Sequence, residues 1–234
     1  MYSRSDVPTE VPASSAERRG SGALRPGQSF DGAASDHDAR LASTALAYAA
    51  RCHLGQRRAS DGAPFVEHLS EVARLLRASG CSDAVVAAGL LHGVVQDAGV
   101  GAAELTARFG ATVAALVLAT TDDSIGSYPQ RKEALREQVR RAGRDAALVF
   151  AAIEIAEVRE LADEVRRERA RARAGAPATP DSARERYRTM CLAHHRASLA
   201  MLDAVVPGHR LVRRLAEELA GVQVAIRDAR RRAR

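Results

Sequence analysis

The sequence has no tryptophan, few aromatic residues, few cysteines and no long hydrophobic run. Aromatic residues make up 3% of the 234 residues while hydrophobic residues make up 46%, so any core must be mainly aliphatic. Cys52, Cys81 and Cys191 are scattered and form no Cys-x-x-Cys pair, which excludes a disulfide framework and a thiolate zinc site. We therefore expect a protein of the reducing cytoplasm.

The chain also lacks the patterns of a membrane span and of a signal peptide. Mean hydropathy is −0.22 and 27% of the residues are charged, values typical of a globular protein. Charges and prolines interrupt the first 36 residues, whereas a signal peptide needs a continuous apolar stretch after a basic start. Neither export nor a membrane partner is expected.

Lysine is almost absent from the basic residues. Lys132 is the one lysine among 35 basic residues, and the net charge is +6. Arginine can bind phosphate oxygens two at a time, but these arginines are spread among 29 acidic residues, a pattern typical of a solvated surface. Nucleic-acid binding is therefore not expected.

The apolar pattern divides the chain into one helical domain and two tails. Residues 1–36 are rich in Ser, Gly, Pro and Ala without a helical period, which predicts a disordered tail. Residues 37–229 repeatedly place apolar residues at helical spacing with little strand signal, so the predicted class is all-α. Within this domain a basic run ending in Gly and Pro predicts an exposed linker over 166–180, and residues 230–234 predict a basic C-terminal tail.

The segment DAVVAAGLLHGVVQ is apolar on all sides, which predicts one continuous helix at the centre of the core, from Asp83 to Gln96. Ser82 is suited to cap its start. His92 interrupts this segment, and His68 lies on the preceding predicted helix. Burial of an imidazole costs free energy unless its nitrogens have partners, so the two histidines are either satisfied core residues or ligands of a shared metal.

Two further pairs of adjacent residues, each with at least one histidine, carry less weight. His194 and His195 are adjacent, so on a helix their side chains point about 100° apart, and we expect them at the surface or at an interface. Cys52 and His53 are also adjacent, and adjacency does not direct one side chain at the other, so a reactive thiol is not expected.

The stretches HLGQRRASDGAPFVEHLSEVARLL and AAGLLHGVVQDAGVGAAELTARFGATVAALV, together with the later AAIEIAEVREL, resemble the hydrolase domain of RelA/SpoT enzymes, particularly the small stand-alone form. The resemblance implies an HD-domain helical bundle. In active members of that family it also implies a manganese ion that helps water remove the 3′-pyrophosphate from guanosine tetraphosphate (ppGpp).

The resemblance further implies a metal site in which half of the ligands are missing. His68 and His92 match two of the four family ligands, while Gly93 and Ile153 stand where the family has aspartates. In the catalytic Glu-Asp pair, Asp97 is retained and Gln96 replaces the glutamate, although an amide cannot transfer a proton near neutral pH. Manganese favours carboxylate and water oxygens, so hydrolysis is expected to be impaired.

An alternative is a metal site with moved ligands. Glu157 follows Ile153 by one helical turn, and helical side chains lean toward the N-terminus, so His68, His92, Asp97 and Glu157 form a second candidate set. Glu157 stands where the family has an asparagine that helps to hold the nucleotide, and its charge would repel phosphates.

The candidate guanine-nucleotide residues, taken from the same resemblance, are Arg58, Arg131, Lys132 and Arg159. Two hypotheses follow: a ppGpp-binding protein whose hydrolysis is impaired, or an active manganese-dependent phosphohydrolase with a rearranged ligand set.

Overall fold

The structure, a computed structural model, describes residues 31–122, 125–174 and 182–232. Within these ranges it consists of helices, with one isolated β-bridge between Arg57 and Pro64 and no strand. The helices are α1 (Asp31–Cys52), α2 (Phe65–Ala78), α3 (Asp83–Leu91), α4 (Val94–Ala98), α5 (Ala102–Phe109), α6 (Ala111–Ala119), α7 (Tyr128–Ala142), α8 (Arg144–Arg173), α9 (Ser182–Val205) and α10 (Arg210–Arg232). The predicted all-α class is confirmed.

The helix ends fall differently from the predicted domain limits. α1 begins at Asp31, inside the predicted tail, and residues 1–30 lie outside the described ranges. α8 continues to Arg173 and so includes the first half of the predicted linker, while residues 175–181 are not described. α10 extends to Arg232, past the start of the predicted C-terminal tail. No helix in the described ranges has the length and apolarity needed to cross a membrane.

α3 and the first half of α8 form the centre of the core. Every residue from Val85 to Leu91 is buried, and α3 packs against α1, α2, α6 and α8. α8 contributes a continuous buried run from Ala146 to Ala156. Because burial of each Val or Leu side chain is worth about 1.5–3 kcal/mol, an all-round apolar helix is most stable in such a central position. Its predicted central location is confirmed.

The central segment is broken at its histidine. α3 ends at Leu91, His92 has extended backbone angles, and Gly93 has φ +88° before α4 begins at Val94. A positive φ costs a residue with a Cβ about 1–2 kcal/mol but is freely available to glycine. The prediction of one continuous helix from Asp83 to Gln96 is therefore wrong, because helical periodicity alone does not reveal where a glycine reverses the backbone.

Gly93→Ala is expected to lower the free energy of unfolding by about 1–2 kcal/mol, because alanine is strained at this φ. A Cβ here would also lie 3.3 Å from Asp97 Oδ2. Urea denaturation would measure the effect, with Gly221→Ala as the control. Gly221 is helical, exposed and has open space around its Cβ position, so that substitution should raise stability by about 0.5–1 kcal/mol. Equal losses in both variants would contradict the strain argument.

Candidate metal and nucleotide site

His68 and His92 are brought into direct contact. His68 lies in the first turn of α2, and His92 lies at the break after α3. Both are buried. Their Nε2 atoms are 3.0 Å apart. On the far side of each ring, His68 Nδ1 is 2.7 Å from Glu160 Oε1 and His92 Nδ1 is 2.6 Å from the carbonyl oxygen of Gly89. The sequence prediction that these two histidines lie together agrees with this geometry.

The outer hydrogen bonds determine what the two facing nitrogens can do. A carbonyl oxygen only accepts, so His92 Nδ1 carries the hydrogen and its Nε2 presents a lone pair. The Glu160 carboxylate accepts from His68 Nδ1 in the same way. Burial, followed by the charge of His68, lowers the pKa of His92 to about 3, which keeps that ring neutral. Two lone pairs at 3.0 Å repel each other unless a proton or a metal cation lies between them.

The surrounding residues do not fit manganese at this pair. Gly93 offers no side chain, and Ile153, which is 7% exposed, places an aliphatic side chain in the same cavity. Asp97 lies at the exposed rim, where its Oδ2 accepts from Gln56 Nε2 at 3.2 Å. Manganese is a hard cation that prefers oxygen ligands. Two imidazole nitrogens without a carboxylate beside them are a poor donor set for it.

The alternative ligand set is only partly assembled. Asp97 and Glu157 line the cavity that contains His68 and His92. Across the described residues, however, one group of three or more His, Cys, Asp or Glu side chains has its ligand atoms within 4.8 Å of one another, and that group is Glu154, Glu157, His194 and His195. His68, His92 and Asp97 do not belong to it.

Two cavities that share lining residues lie around the histidine pair. The histidine cavity, about 210 Å³, contains His68 and His92 together with the loop residues Thr120 to Asp122. The α8–α9 cleft is larger, about 660 Å³, and is lined by Tyr128 and His195 among others. Lys132, Glu157 and Glu160 line both. A ligand that filled the cleft would thus be within reach of the histidine cavity.

Three of the predicted cationic residues, Arg58, Arg131 and Lys132, are paired with carboxylates, and of these three Lys132 lines both cavities. Arg58 donates two hydrogen bonds to Asp61, and its Nη1 lies 3.7 Å from Glu160 Oε1, the atom that binds His68. Arg131 and Lys132 lie 3.3 and 3.1 Å from Asp122 Oδ2. Burial alone would lower the pKa of Lys132, but Glu157 and Asp122 raise it overall, so the ammonium group stays charged at the junction of the two cavities.

Arg159 has a different environment from the other predicted cations. It donates from Nη1 to Glu71 on α2 at 2.5 Å and from Nε to Glu218 on α10 at 2.7 Å. Both bonds are charge-assisted and only partly exposed, which makes them stronger than surface ion pairs. The side chain therefore joins three helices of the bundle.

The sequence analysis missed a third buried histidine beside the pair. The side chain of His53 is fully buried; its Nδ1 donates to Gln56 Oε1 at 2.6 Å, and Gln56 in turn donates to Asp97. Among the residues that the structure describes, His53 Nε2 has no hydrogen-bond partner, and it lies 3.8 Å from the position of a Cβ at Gly93. Phe65 packs against both His53 and His68. The H-x-x-Q spacing in HLGQ was the signal for this hydrogen-bonded chain.

His194 and His195 were expected at the surface or at an interface, and the surface position is wrong. They are 4% and 3% exposed and both face Glu154, which is 1% exposed in the middle of α8. His195 Nδ1 is 2.7 Å from Glu154 Oε2, and His194 Nε2 is 2.9 Å from Glu154 Oε1. The available signal was a lone glutamate in the apolar run ALVFAAIEIA, because a buried carboxylate requires a partner.

Comparisons with known proteins identify the family of the chain. Residues 45–176, more than half of the chain, match the HD domain family. The human protein MESH1, named as a guanosine-3′,5′-bis(diphosphate) 3′-pyrophosphohydrolase, is 38% identical over 117 residues, which cover 49% of this chain and 65% of the human one. A probable enzyme of the same name from Synechocystis is 38% identical over 97 residues, but these are 13% of its length. The chain thus spans less than two thirds of either relative.

A solved structure supports the same conclusion for the fold. It belongs to a metazoan orthologue of SpoT that hydrolyses ppGpp, and it superposes with a TM-score of 0.62 at 24% identity over 77% of this chain and 94% of that one. At this identity the likeness concerns the helical architecture alone. The chain belongs to the HD-domain family and is a relative of its RelA/SpoT-type ppGpp pyrophosphohydrolases.

Proposed function

We propose that this protein binds a guanosine nucleotide of the ppGpp type at the histidine cavity and that its hydrolytic activity is strongly impaired. The observation that carries the proposal is the donor set around the two histidines. Their Nε2 atoms meet at 3.0 Å, but Gly93 and the buried Ile153 stand at the two positions that match family aspartates in the sequence resemblance. A hard divalent cation would be held weakly there.

The loss of the acid–base group supports the same proposal. Gln96 is exposed at the rim of the cavity, and its amide cannot accept or deliver a proton near neutral pH. Asp97, the retained member of the pair, accepts a hydrogen bond from Gln56. It can still orient a water molecule, but neither a paired acid nor a strong metal site stands beside it.

Nucleotide binding is supported by Lys132, which lines both cavities. Arg131 and Arg58 are paired with Asp122 and Glu160, which line the histidine cavity. We assign phosphate contacts to Arg131 and Lys132 and the guanine contact to Arg58, whose planar guanidinium can stack on a base. The carboxylates of Glu157 and Glu160 border the same space and would weaken phosphate binding. Arg159 completes the predicted set; since two carboxylates hold it between helices, its expected role is to fix their positions.

The second candidate function is an active metal-dependent phosphohydrolase with a rearranged ligand set. The observation in its favour is that Glu157 is half-buried and lines the cavity of His68 and His92. In that case Glu157 and Asp97 would replace the missing aspartates. Turnover of ppGpp that depends on manganese and on His92 would decide for this candidate.

The test combines binding and turnover measurements on the full chain. Titration calorimetry with ppGpp is expected to show saturable binding that Arg58→Ala weakens about tenfold or more, because a charge-assisted contact is worth about 1.5–3 kcal/mol. Pyrophosphate release in the presence of manganese is expected to stay at background.

Arg74→Ala is the matched control, since Arg74 lies on α2 with an exposed side chain paired to Glu71, and it should bind ppGpp as the wild type does. Release of pyrophosphate that His92→Ala abolishes would contradict the impaired-hydrolase proposal. Absence of saturable binding would contradict the nucleotide-binding proposal.

A further inference from the structure

A second group of potential metal ligands lies between α8 and α9. Glu154 and Glu157 on α8 face His194 and His195 on α9, and one ligand atom from each lies within 4.8 Å of all the others. We call these four residues the α8–α9 cluster. Two imidazole nitrogens and two carboxylate oxygens are a donor set that first-row divalent metals favour. The histidine pair at His68 and His92 lacks such oxygens.

The cluster is buried and contains an unsatisfied nitrogen. The side chains of Glu154, His194 and His195 are 1%, 2% and 4% exposed. His194 Nε2 forms no hydrogen bond within the described part of the chain, and it lies 2.9 Å from Glu154 Oε1 in an ion-pair contact. A buried polar atom without a hydrogen bond needs an explanation, and a site for a bound ion is one of the few explanations. This atom points into the cluster.

The charge of the cluster also suits a cation. Glu154 Oε1 and Oε2 lie 2.9 and 2.7 Å from His194 Nε2 and His195 Nδ1, so this carboxylate faces both imidazoles. Glu157 adds a second carboxylate at the border of the α8–α9 cleft, and His195 lines the same cleft. One side of the cluster therefore faces space that a water molecule or an anionic ligand can enter.

We propose that Glu154, Glu157, His194 and His195 bind one divalent first-row transition-metal ion, with zinc as the best match to this mixed nitrogen and oxygen set. Glu154 and Glu157 also line the histidine cavity, but His68 and His92 are not among the proposed ligands. Ligand atoms bonded tetrahedrally at about 2.0–2.2 Å from a metal lie roughly 3.3–3.6 Å from one another. Mutual distances of up to 4.8 Å between the ligand atoms would therefore need to shorten on binding.

The contact between Arg136 and His194 opposes metal binding at this site. Its Nη1 lies 2.8 Å from His194 Nδ1, and because a guanidinium only donates, that nitrogen presents its lone pair and the ring hydrogen is on Nε2. Metal binding through Nε2 requires the hydrogen to move to Nδ1 and the guanidinium to turn away. Glu133 and Glu137 line a surface cavity with Arg136 and offer acceptors for it. Removal of Arg136 should therefore strengthen metal binding.

The test is a zinc titration of the chelator-treated full chain by calorimetry, with cobalt substitution to report the ligands through its visible spectrum. One equivalent is expected to bind at the cluster. Glu157→Gln should weaken binding at least about tenfold, and Arg136→Met should strengthen it. Glu164→Gln is the matched control, because Glu164 is on the same helix and lines the same cleft outside the cluster; it should bind as the wild type does.

A pair of variants locates the ion. His195→Ala should remove the binding event and His92→Ala should leave it, with circular dichroism showing that both variants are folded. Zinc binding that is lost with His92→Ala and kept with His195→Ala would place the ion at the histidine pair and overturn the inference. Absence of binding by both the wild type and Arg136→Met would overturn it as well. Neither result affects the ppGpp titration.

Discussion

Replacing Gly93 and Ile153 together by aspartate is expected to create a manganese site at the histidine pair. The two nitrogens already meet at 3.0 Å, and Glu160 and the Gly89 carbonyl orient their rings; such outer contacts set the affinity of metal-binding histidines. Two adjacent carboxylates would supply the missing oxygens. At 100 times the dissociation constant, a bound ion adds about 2.7 kcal/mol of stability, which raises the melting temperature by roughly 5–11 °C in a domain of this size.

The same double variant should be less stable than the wild type in chelating buffer. The Cβ of the substituted residue at position 93 would lie 3.3 Å from Asp97 Oδ2, which brings a second carboxylate close to Asp97. Buried carboxylates without a cation cost several kcal/mol. Asparagine at both positions is the matched control, since it has nearly the same shape, tolerates a positive φ and lacks the charge. Thermal melts with and without manganese measure both effects.

The quantity that tests this prediction is the gain in the manganese response over the wild type, so an ion bound elsewhere does not affect it. His68→Ala in the double variant should abolish the gain. If the wild type showed an equal response that His92→Ala removed, the premise that glycine and isoleucine disable the site would be wrong.

The helices could be predicted from the sequence wherever one face is apolar and the ends carry local signals. Helix α2 has its inward residues at helical spacing, and the helix α7 starts with a Ser127–Gln130 capping box and Pro129. The break at Gly93 could not be predicted in this way. Apolar residues lie on both sides of His92 and Gly93, so the hydrophobic pattern resumes after a residue with φ +88°.

The contact between His68 and His92 was predictable because both lie in apolar segments that resemble known motifs. The burial of His194 and His195 was not, because it depends on Glu154, a residue of another helix forty positions earlier. The ion pairs of Arg159 follow the same rule, since Glu71 and Glu218 come from two distant helices. Periodicity describes the residues within a helix and leaves open which charged side chains meet across helices.

Glu154→Leu is expected to lower the free energy of unfolding by about 3–5 kcal/mol, measured by urea denaturation in chelating buffer. The carboxylate is 1% exposed and lies within 2.9 Å of nitrogens on both histidines. Its removal leaves one buried nitrogen of each imidazole without the carboxylate that it contacts, and removing one partner of a buried polar pair is costly. Glu217→Leu is the control: that side chain is 68% exposed, and its loss should change stability by no more than about 0.5 kcal/mol.

The energetic role of the cluster can be separated from simple packing by removing its polar members together. If the loss in Glu154→Leu arises from unpaired imidazoles, then adding His194→Leu and His195→Leu should restore part of the lost stability, because a fully apolar replacement of a buried ionic group is often nearly neutral. The substitutions would then be strongly non-additive, since all three residues share one network. Additive losses would instead show that the side chains act through their shape. In that case the two histidines would be packing residues, and the charge of Glu154 would have no part in joining α8 to α9.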